Sequence, residues 1–231
     1  MDGTTLYLVG EQALYRSVDN GSEWSELGLS GRITALVESP TKDLWAGFWN
    51  GYSGPSPTGD VTAVFRSTDG GVTWQDQLLP STTGVIYDIA VDPSQPEVVY
   101  VGGWLSLSGD RTGVLFKTSD GGSSWQKIFE LEGGNVRTIA IDPHDSQQIF
   151  LGSELKVHAA GVFWSRDGGQ TWTKIHKGGP TKILLNPTDS RVYAAMREVA
   201  PGGVYIFTPS EDKTAVHQQS WGLLKRANNR N

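Results

Sequence analysis

Four aspartates, Asp19, Asp69, Asp120 and Asp167, lie 50, 51 and 47 residues apart, each inside the same short motif. The motif has Ser or Thr, Asp two residues later, Gly two after the Asp, and Trp three after the Gly, as in STDGGVTW. Carboxylates could act as acids or bases or bind a cation. The motif equally suits a hairpin turn, because Asp accepts backbone N–H bonds and Gly adopts positive φ. We predict that these Asp residues and the Trp residues that close the motifs serve the fold: Trp24, Trp74, Trp125 and Trp172.

Aromatic and polar residues outside the motifs are the better candidates for ligand binding. They occur in irregular stretches, namely Trp49 and Tyr52, Trp104 with Asp110 and Arg111, His158, and Arg197. Aromatic plates beside hydrogen-bonding groups suit either the apolar face of a sugar or a protein ligand. The alternative is that Trp49 and Trp104 pack against their own loops, and that His158 is a loop histidine.

The remaining carboxylates do not single out a catalytic pair. Glycoside cleavage needs two carboxyl groups facing each other across the scissile bond. The candidates outside the motifs share no pattern: Glu38, Asp60, Asp88, Asp110, Glu154 and Glu198. The motifs lack the terminal Glu of a calcium loop, and the four His show no paired spacing. We expect no metal and no cofactor.

Composition excludes several classes of protein. Gly and Pro make up about 17 % of the 231 residues, so turns are frequent, while nine Trp supply material for a core. The net charge of −6 argues against a nucleic-acid ligand. Without a long apolar run we expect no membrane insertion, and the first residues show no signal peptide. The absence of Cys leaves the compartment open.

The elements that must position these residues are repeated β-strands. Each motif lies between the third and fourth of four β-rich runs; one unit, for example, holds VIYDIAVDP, EVVYVGGW, GVLFKTSD and SWQKIFEL. Five such units fill residues 1–231 as one domain. The first unit lacks its inner strand, and the last has lost its motif, although Trp221 could still open a fourth strand.

Side chains recur in register within these units. Aromatic residues in the second and third strands predict that one sheet face is filled repeatedly. Arg16, Arg66 and Lys117 precede three motifs, with Trp164 at the fourth, and this repetition predicts an outward strand face. Arg32, Asp88 and Arg137 on the first strands could line a central channel.

The motif resembles the Asp-box, or BNR, repeats of sialidases, xyloglucanases, sortilin-type receptors and photosystem assembly factors. The resemblance implies an all-β propeller of about five four-stranded antiparallel blades, with structural boxes remote from a ligand face built by the loops between second and third strands. It also implies a secreted or extracytoplasmic location. Two arrangements stay open: a closed five-bladed ring, or an open or truncated ring whose incomplete first blade meets a partner chain or a second copy.

Three functions follow from this resemblance. The first is a non-catalytic module that binds a glycan or a protein on the loop face. The second is a glycoside hydrolase, but the Arg-Ile-Pro segment typical of sialidases is absent, and xyloglucanases are longer and have two propellers. The third is an assembly factor of the photosystem type.

Overall fold

The computed structural model describes residues 5–11, 13–49, 64–77, 79, 84–106, 111–154, 160–196, 203–208 and 215–219. It contains nineteen strands in these residues and no helix. They are β1 (Leu6–Val9), β2 (Ala13–Ser17), β3 (Ser25–Ser30), β4 (Ile33–Glu38), β5 (Leu44–Phe48), β6 (Val64–Ser67), β7 (Gln75–Gln77), β8 (Gly84–Val91), β9 (Val99–Ser106), β10 (Arg111–Thr118), β11 (Gln126–Glu132), β12 (Thr138–Ile141), β13 (Ile149–Ser153), β14 (Gly161–Ser165), β15 (Thr173–His176), β16 (Pro180–Leu185), β17 (Val192–Met196), β18 (Gly203–Thr208) and β19 (Ala215–Gln219). The protein is all-β within the described residues.

The strands form five antiparallel sheets in chain order. Sheet 1 is β1-β2-β3, and sheets 2 to 5 each contain the next four strands in sequence order. This is a β-propeller of four-stranded blades whose first blade has three, and the predicted fold class is confirmed.

Neighbouring sheets pack face to face. Four apolar clusters join sheet 1 to 2, 2 to 3, 3 to 4 and 4 to 5, and none of these clusters joins sheet 5 to sheet 1. Close approach depends on small residues in the second strands. A Cβ on Gly47 would lie 2.6 Å from Ile86 of the next sheet, and one on Gly102 would lie 2.5 Å from Val136. Glycine in β5 and β9 therefore lets the next sheet approach these second strands closely.

The two aromatic columns fill opposite sheet faces, which corrects the prediction of one filled face. Trp45 of β5 packs in the cluster toward sheet 3, whereas Phe65 of β6 packs in the cluster toward sheet 1. The cause is register. Trp45 pairs with Arg66, so the adjacent Phe65 projects to the other side of the sheet.

The repeated cations also differ from their predicted outward position. Arg16 Nη1 donates to the Gly70 carbonyl at 2.9 Å, Arg66 Nη1 to the Gly121 carbonyl at 2.5 Å, and Lys117 Nζ to the Gly168 carbonyl at 3.0 Å. Each acceptor lies in the motif turn of the next sheet. These side chains therefore form hydrogen bonds between neighbouring sheets.

The motif turns are built by their own polar residues. In the second copy, Ser67 Oγ donates to Asp69 Oδ1 at 2.8 Å, and the Thr73 amide donates to the same carboxylate at 2.9 Å. Gly71 has φ +94°. The Trp74 indole donates to the Gly71 carbonyl at 3.0 Å, so the ring covers the turn. The other three copies repeat the carboxylate bonds.

No helix in the described residues is long and apolar enough to cross a membrane.

Candidate functional site

A cleft of about 530 Å³ opens where the inner strands of sheets 2 to 5 begin. Its lining combines three arginines and a lysine with aromatic and small polar side chains: Arg32, Thr34, Trp49, Val85, Tyr87, Trp104, Arg111, Arg137, Thr181 and Lys182. The volume lies within the usual range for small-ligand sites.

Each arginine of the cleft lies over an aromatic ring. The guanidinium carbon of Arg32 is 3.6 Å from the ring centroid of Trp49, Arg111 is 4.5 Å from that of Trp104, and Arg137 is 4.5 Å from that of Tyr87. A cation over a ring face is attracted by its quadrupole. The stacks hold the guanidinium groups in place and present flat aromatic and cationic surfaces side by side.

Strand ends and pairings set these positions. Arg32 precedes β4 and Trp49 follows β5, and the Trp49 amide donates to the Arg32 carbonyl at 3.0 Å. Trp49 also bridges to Val85 of the next sheet. Trp104 lies in β9 and Arg111 opens β10, where the cross-strand pair Trp104 and Gly113 aligns the two strands. Both aromatic residues are thus fixed by backbone contacts.

Bulges in the inner strands aim further side chains at the cleft. The registers of β4, β8 and β16 each skip one residue, and the skipped residues are Thr34, Tyr87 and Thr181. All three line the cleft. A bulge redirects the side chain of its extra residue, so the same irregularity in three sheets supplies one layer of the lining.

The cleft is cationic. Among the described lining residues there is no Asp, Glu or His. Asp88 binds Lys182 at 3.0 Å and accepts the Ile139 amide at 2.8 Å, and Glu154 lies 3.7 Å from Arg137. Within the part of the chain described, no carboxylate lies within ion-pair distance of Arg32 or Arg111. Two guanidinium groups therefore remain available to an anion.

Three of the seven predicted ligand-binding residues come together here, namely Trp49, Trp104 and Arg111. The other four, Tyr52, Asp110, His158 and Arg197, lie outside the described residues. Arg32 and Arg137, expected along the channel, line the cleft, while Asp88 binds Lys182 at its edge. Sequence reasoning missed the other five lining residues, which are Thr34, Val85, Tyr87, Thr181 and Lys182. Three of them, Thr34, Tyr87 and Thr181, are directed by bulges that leave no mark in the residue pattern.

The motif turns are distant from the cleft. Arg111 opens β10 and the turn of Asp120 follows its last residue, Thr118. Eight residues of strand separate them by about 23 Å. Hydrogen bonds from the Thr73, Ser124 and Thr171 hydroxyls are the main cause that lowers the pKa of Asp69, Asp120 and Asp167 to about 2. In Asp19 the Glu23 amide is the main cause of a lowered pKa.

Potential metal-binding side chains do not cluster in the described part of the chain. The described residues contain no group of three or more His, Cys, Asp or Glu side chains that could hold a metal ion.

A family model for the DUF6242 beta propeller domain matches residues 1–221. The chain belongs to this family. No curated protein matches the sequence.

Solved structures share the fold. The extracellular domain of the one component system BT4673 from B. thetaiotaomicron is 12 % identical, with a TM-score of 0.64 over 89 % of this chain and 26 % of that one. An ancestral GH74 enzyme is 18 % identical, with a TM-score of 0.63 over 93 % and 29 % of the two chains. YCF48 bound to D1 peptide is 17 % identical, with a TM-score of 0.58 over 96 % and 68 %. The chain thus spans under a third of the first two proteins.

Proposed function

We propose that this propeller is a non-catalytic binding module and that its cleft holds an anionic glycan bearing carboxylate or sulfate groups. The observation that carries the proposal is the set of three arginine–aromatic stacks around one cleft.

The lining residues can contact both the charged groups and the sugar rings of such a ligand. Guanidinium groups bind carboxylate and sulfate oxygens through paired N–H donors, more strongly than they bind neutral oxygens. Exposed indole faces suit the C–H face of a sugar ring, and Trp49 keeps 39 % of its surface exposed. A cationic cleft in a chain of net charge −6 concentrates the attraction for anions at one place.

Hydrolysis is the weaker candidate. A glycosidase needs two carboxyl groups about 5 to 10 Å apart across the bond, and the described lining supplies none. Asp88 at the edge is already bonded to Lys182 and to a backbone amide. The proposal therefore assigns recognition to this cleft and no catalytic residue.

A protein ligand is the competing occupant of the same site. The YCF48 structure holds a D1 peptide, and an acidic peptide would also satisfy arginines. The indole face beside Arg32 favours the glycan, because a sugar ring offers a flat apolar face next to its charged group. Tyr52, Asp110, His158 and Arg197 remain predicted ligand contacts.

The role of the repeated motif is also an inference. The carboxylate bonds within each turn support a structural role for the four Asp residues, and the motif supports membership of the Asp-box repeats. A secreted or extracytoplasmic location stays a proposal that follows from this resemblance.

An array of carboxylated, sulfated and neutral glycans with acidic peptides tests the proposal. We expect retention of anionic glycans that is lost in Arg32→Met, Arg111→Met, Trp49→Ala and Trp104→Ala and kept in Lys177→Met, which removes one exposed charge elsewhere. The proposal would be contradicted if the protein retained only neutral glycans or only acidic peptides. It would also be contradicted if the Arg variants retained anionic glycans as well as the unchanged protein does. Turnover of a fluorogenic glycoside would overturn the non-catalytic assignment.

A further inference from the structure

Among the described residues, sheet 1 has apolar side chains on one face that are partly exposed. Leu6 and Leu8 of β1 are 37 % and 52 % exposed. The residues at the same register positions in the other four sheets are all fully buried: Leu44, Ala46, Val99, Val101, Ile149, Leu151, Val192 and Ala194. Trp24 is 41 % exposed. We call this face, formed by Leu6, Leu8, Tyr15 and the turn from Asp19 to Trp24, the open face.

In sheets 2, 3 and 4, the equivalent face receives contacts of three kinds from the sheet before it. A cation donates to the carbonyl of the residue after the motif Asp, as Arg66 does to Gly121. A side chain from the last strand of the preceding sheet packs on the second motif Gly, as Leu27 of β3 does on Gly71 and Ile128 of β11 on Gly169. The motif Trp packs on an aromatic residue of the preceding sheet, as Trp125 does on Trp45 with ring centroids 6.1 Å apart.

The open face has the parts that receive these contacts. Asn20 has φ +60° and takes the place of Gly70, and Gly21 has φ +89°. The Trp24 indole donates to the Gly21 carbonyl at 3.1 Å, as Trp74 does to Gly71. The three atoms nearest to a Cβ on Gly21 belong to Leu6 and Trp24 of its own sheet, at 3.6 to 4.0 Å, whereas a Cβ on Gly71 would lie 2.5 Å from Leu27 of the preceding sheet. The space that Leu27 fills at Gly71 therefore has no such close neighbour at Gly21.

None of the equivalent strands in the five sheets, β2, β6, β10, β14 and β18, has a cation left at this register position for the Asn20 carbonyl. Arg16, Arg66 and Lys117 are bonded to sheets 2, 3 and 4. Sheet 4 carries Trp164, which donates to Gln148 Oε1 at 2.8 Å, and sheet 5 carries Ile206 at this register position. A second copy of the chain would offer the same five described strands, with their cations bonded in the same way.

We propose that the open face docks a further propeller blade, supplied by a polypeptide segment other than residues 1–231, whose third strand carries Arg or Lys immediately before its own motif. The cation bonds to the Asn20 carbonyl, a fourth-strand side chain fills the space at Gly21, and an aromatic residue covers Trp24. The surface continues the interface already present between sheets 1 to 4.

A blade placed on the open face tests this directly. A copy of residues 84–146 fused ahead of Thr5 supplies a complete sheet containing Lys117, followed by a copy of β12 to pair with β1. The sequence has no Cys, so Leu8→Cys provides a single thiol on the open face. Val72→Cys, at a 64 % exposed position in the turn of sheet 2, is the matched control.

We expect the Leu8→Cys thiol to react rapidly with a maleimide in the 231-residue chain and at least tenfold more slowly in the fusion, while Val72→Cys reacts equally in both. Changing Lys117→Ile in the appended copy should restore part of the lost labelling. Slow labelling of the unfused chain would overturn the proposal, because the thiol would then already be covered. Light scattering would show whether a second copy or the chain's own residues cover it. Unslowed labelling in the fusion, or an appended segment that proteases remove, would overturn it as well.

Discussion

Arg66 joins two sheets and pairs with a carboxylate, so its replacement by Met tests how the blades hold together. Its Nε and Nη2 donate to Asp43 Oδ2 at 3.1 and 2.5 Å, and its Nη1 donates to the Gly121 carbonyl. The side chains of Arg66 and Asp43 are only 21 % and 14 % exposed. Removing the guanidinium leaves a partly buried carboxylate and a carbonyl without their donor. We expect Arg66→Met to lower the free energy of unfolding by about 2 to 4 kcal/mol.

The comparison with Arg16 sharpens this expectation. Arg16 donates one bond to the Gly70 carbonyl, so Arg16→Met should cost about 1 kcal/mol. Urea unfolding followed by far-UV circular dichroism measures both, with exposed Lys177→Met as a control expected to change stability by less than about 0.5 kcal/mol. The explanation of the inter-sheet bonds is refuted if Arg66→Met costs no more than the control.

Two further predictions concern the turns and the core. The pKa values of Asp69, Asp120 and Asp167 are lowered to about 2 in the folded state. The ionised carboxylates therefore stabilise the folded protein fully above the ordinary pKa of Asp, and this contribution is lost as the pH falls from about 4 to 2. Urea midpoints should fall across this window and change less in the triple Asp→Asn variant; an equal fall in both proteins would contradict this. Phe150 is fully buried between sheets 4 and 5 and stacks on Trp164 at 5.5 Å, so Phe150→Ala should cost about 3 to 5 kcal/mol in the same assay, and a loss below 1 kcal/mol would contradict that packing.

Local residue patterns were sufficient to predict the architecture. Runs of β-forming residues bounded by Gly, Pro, Ser and Asp mark the strands, and β1 to β3 form the three-stranded first sheet expected from a unit without an inner strand. The hydrogen bonds of the turns follow from residues within a few positions of each other, such as Ser67 and Asp69. Contacts within one short segment can therefore be predicted from the residues of that segment.

Contacts between sheets could not be predicted from local residue patterns. The acceptor of Arg66 lies 55 residues away in Gly121, and its position depends on how two sheets pack. The bulges at Thr34, Tyr87 and Thr181 arise where the inner strands converge. Trp49 and Trp104 could be proposed for a site by type, but their stacking with Arg32 and Arg111 required the structure.

Isothermal titration with a matched pair of ligands tests the proposed function most directly. The pair is the acidic oligosaccharide best retained by the array and the same oligosaccharide with its carboxylates methyl-esterified or its sulfates removed. Loss of charge-assisted bonds worth about 1.5 to 3 kcal/mol should weaken binding of the neutral form by roughly 10- to 100-fold. Arg32→Met should weaken binding of the acidic form to a similar extent and leave the neutral form unaffected. Equal affinity for the two ligands, or no effect of Arg32→Met on the acidic one, would contradict an anion-binding cleft.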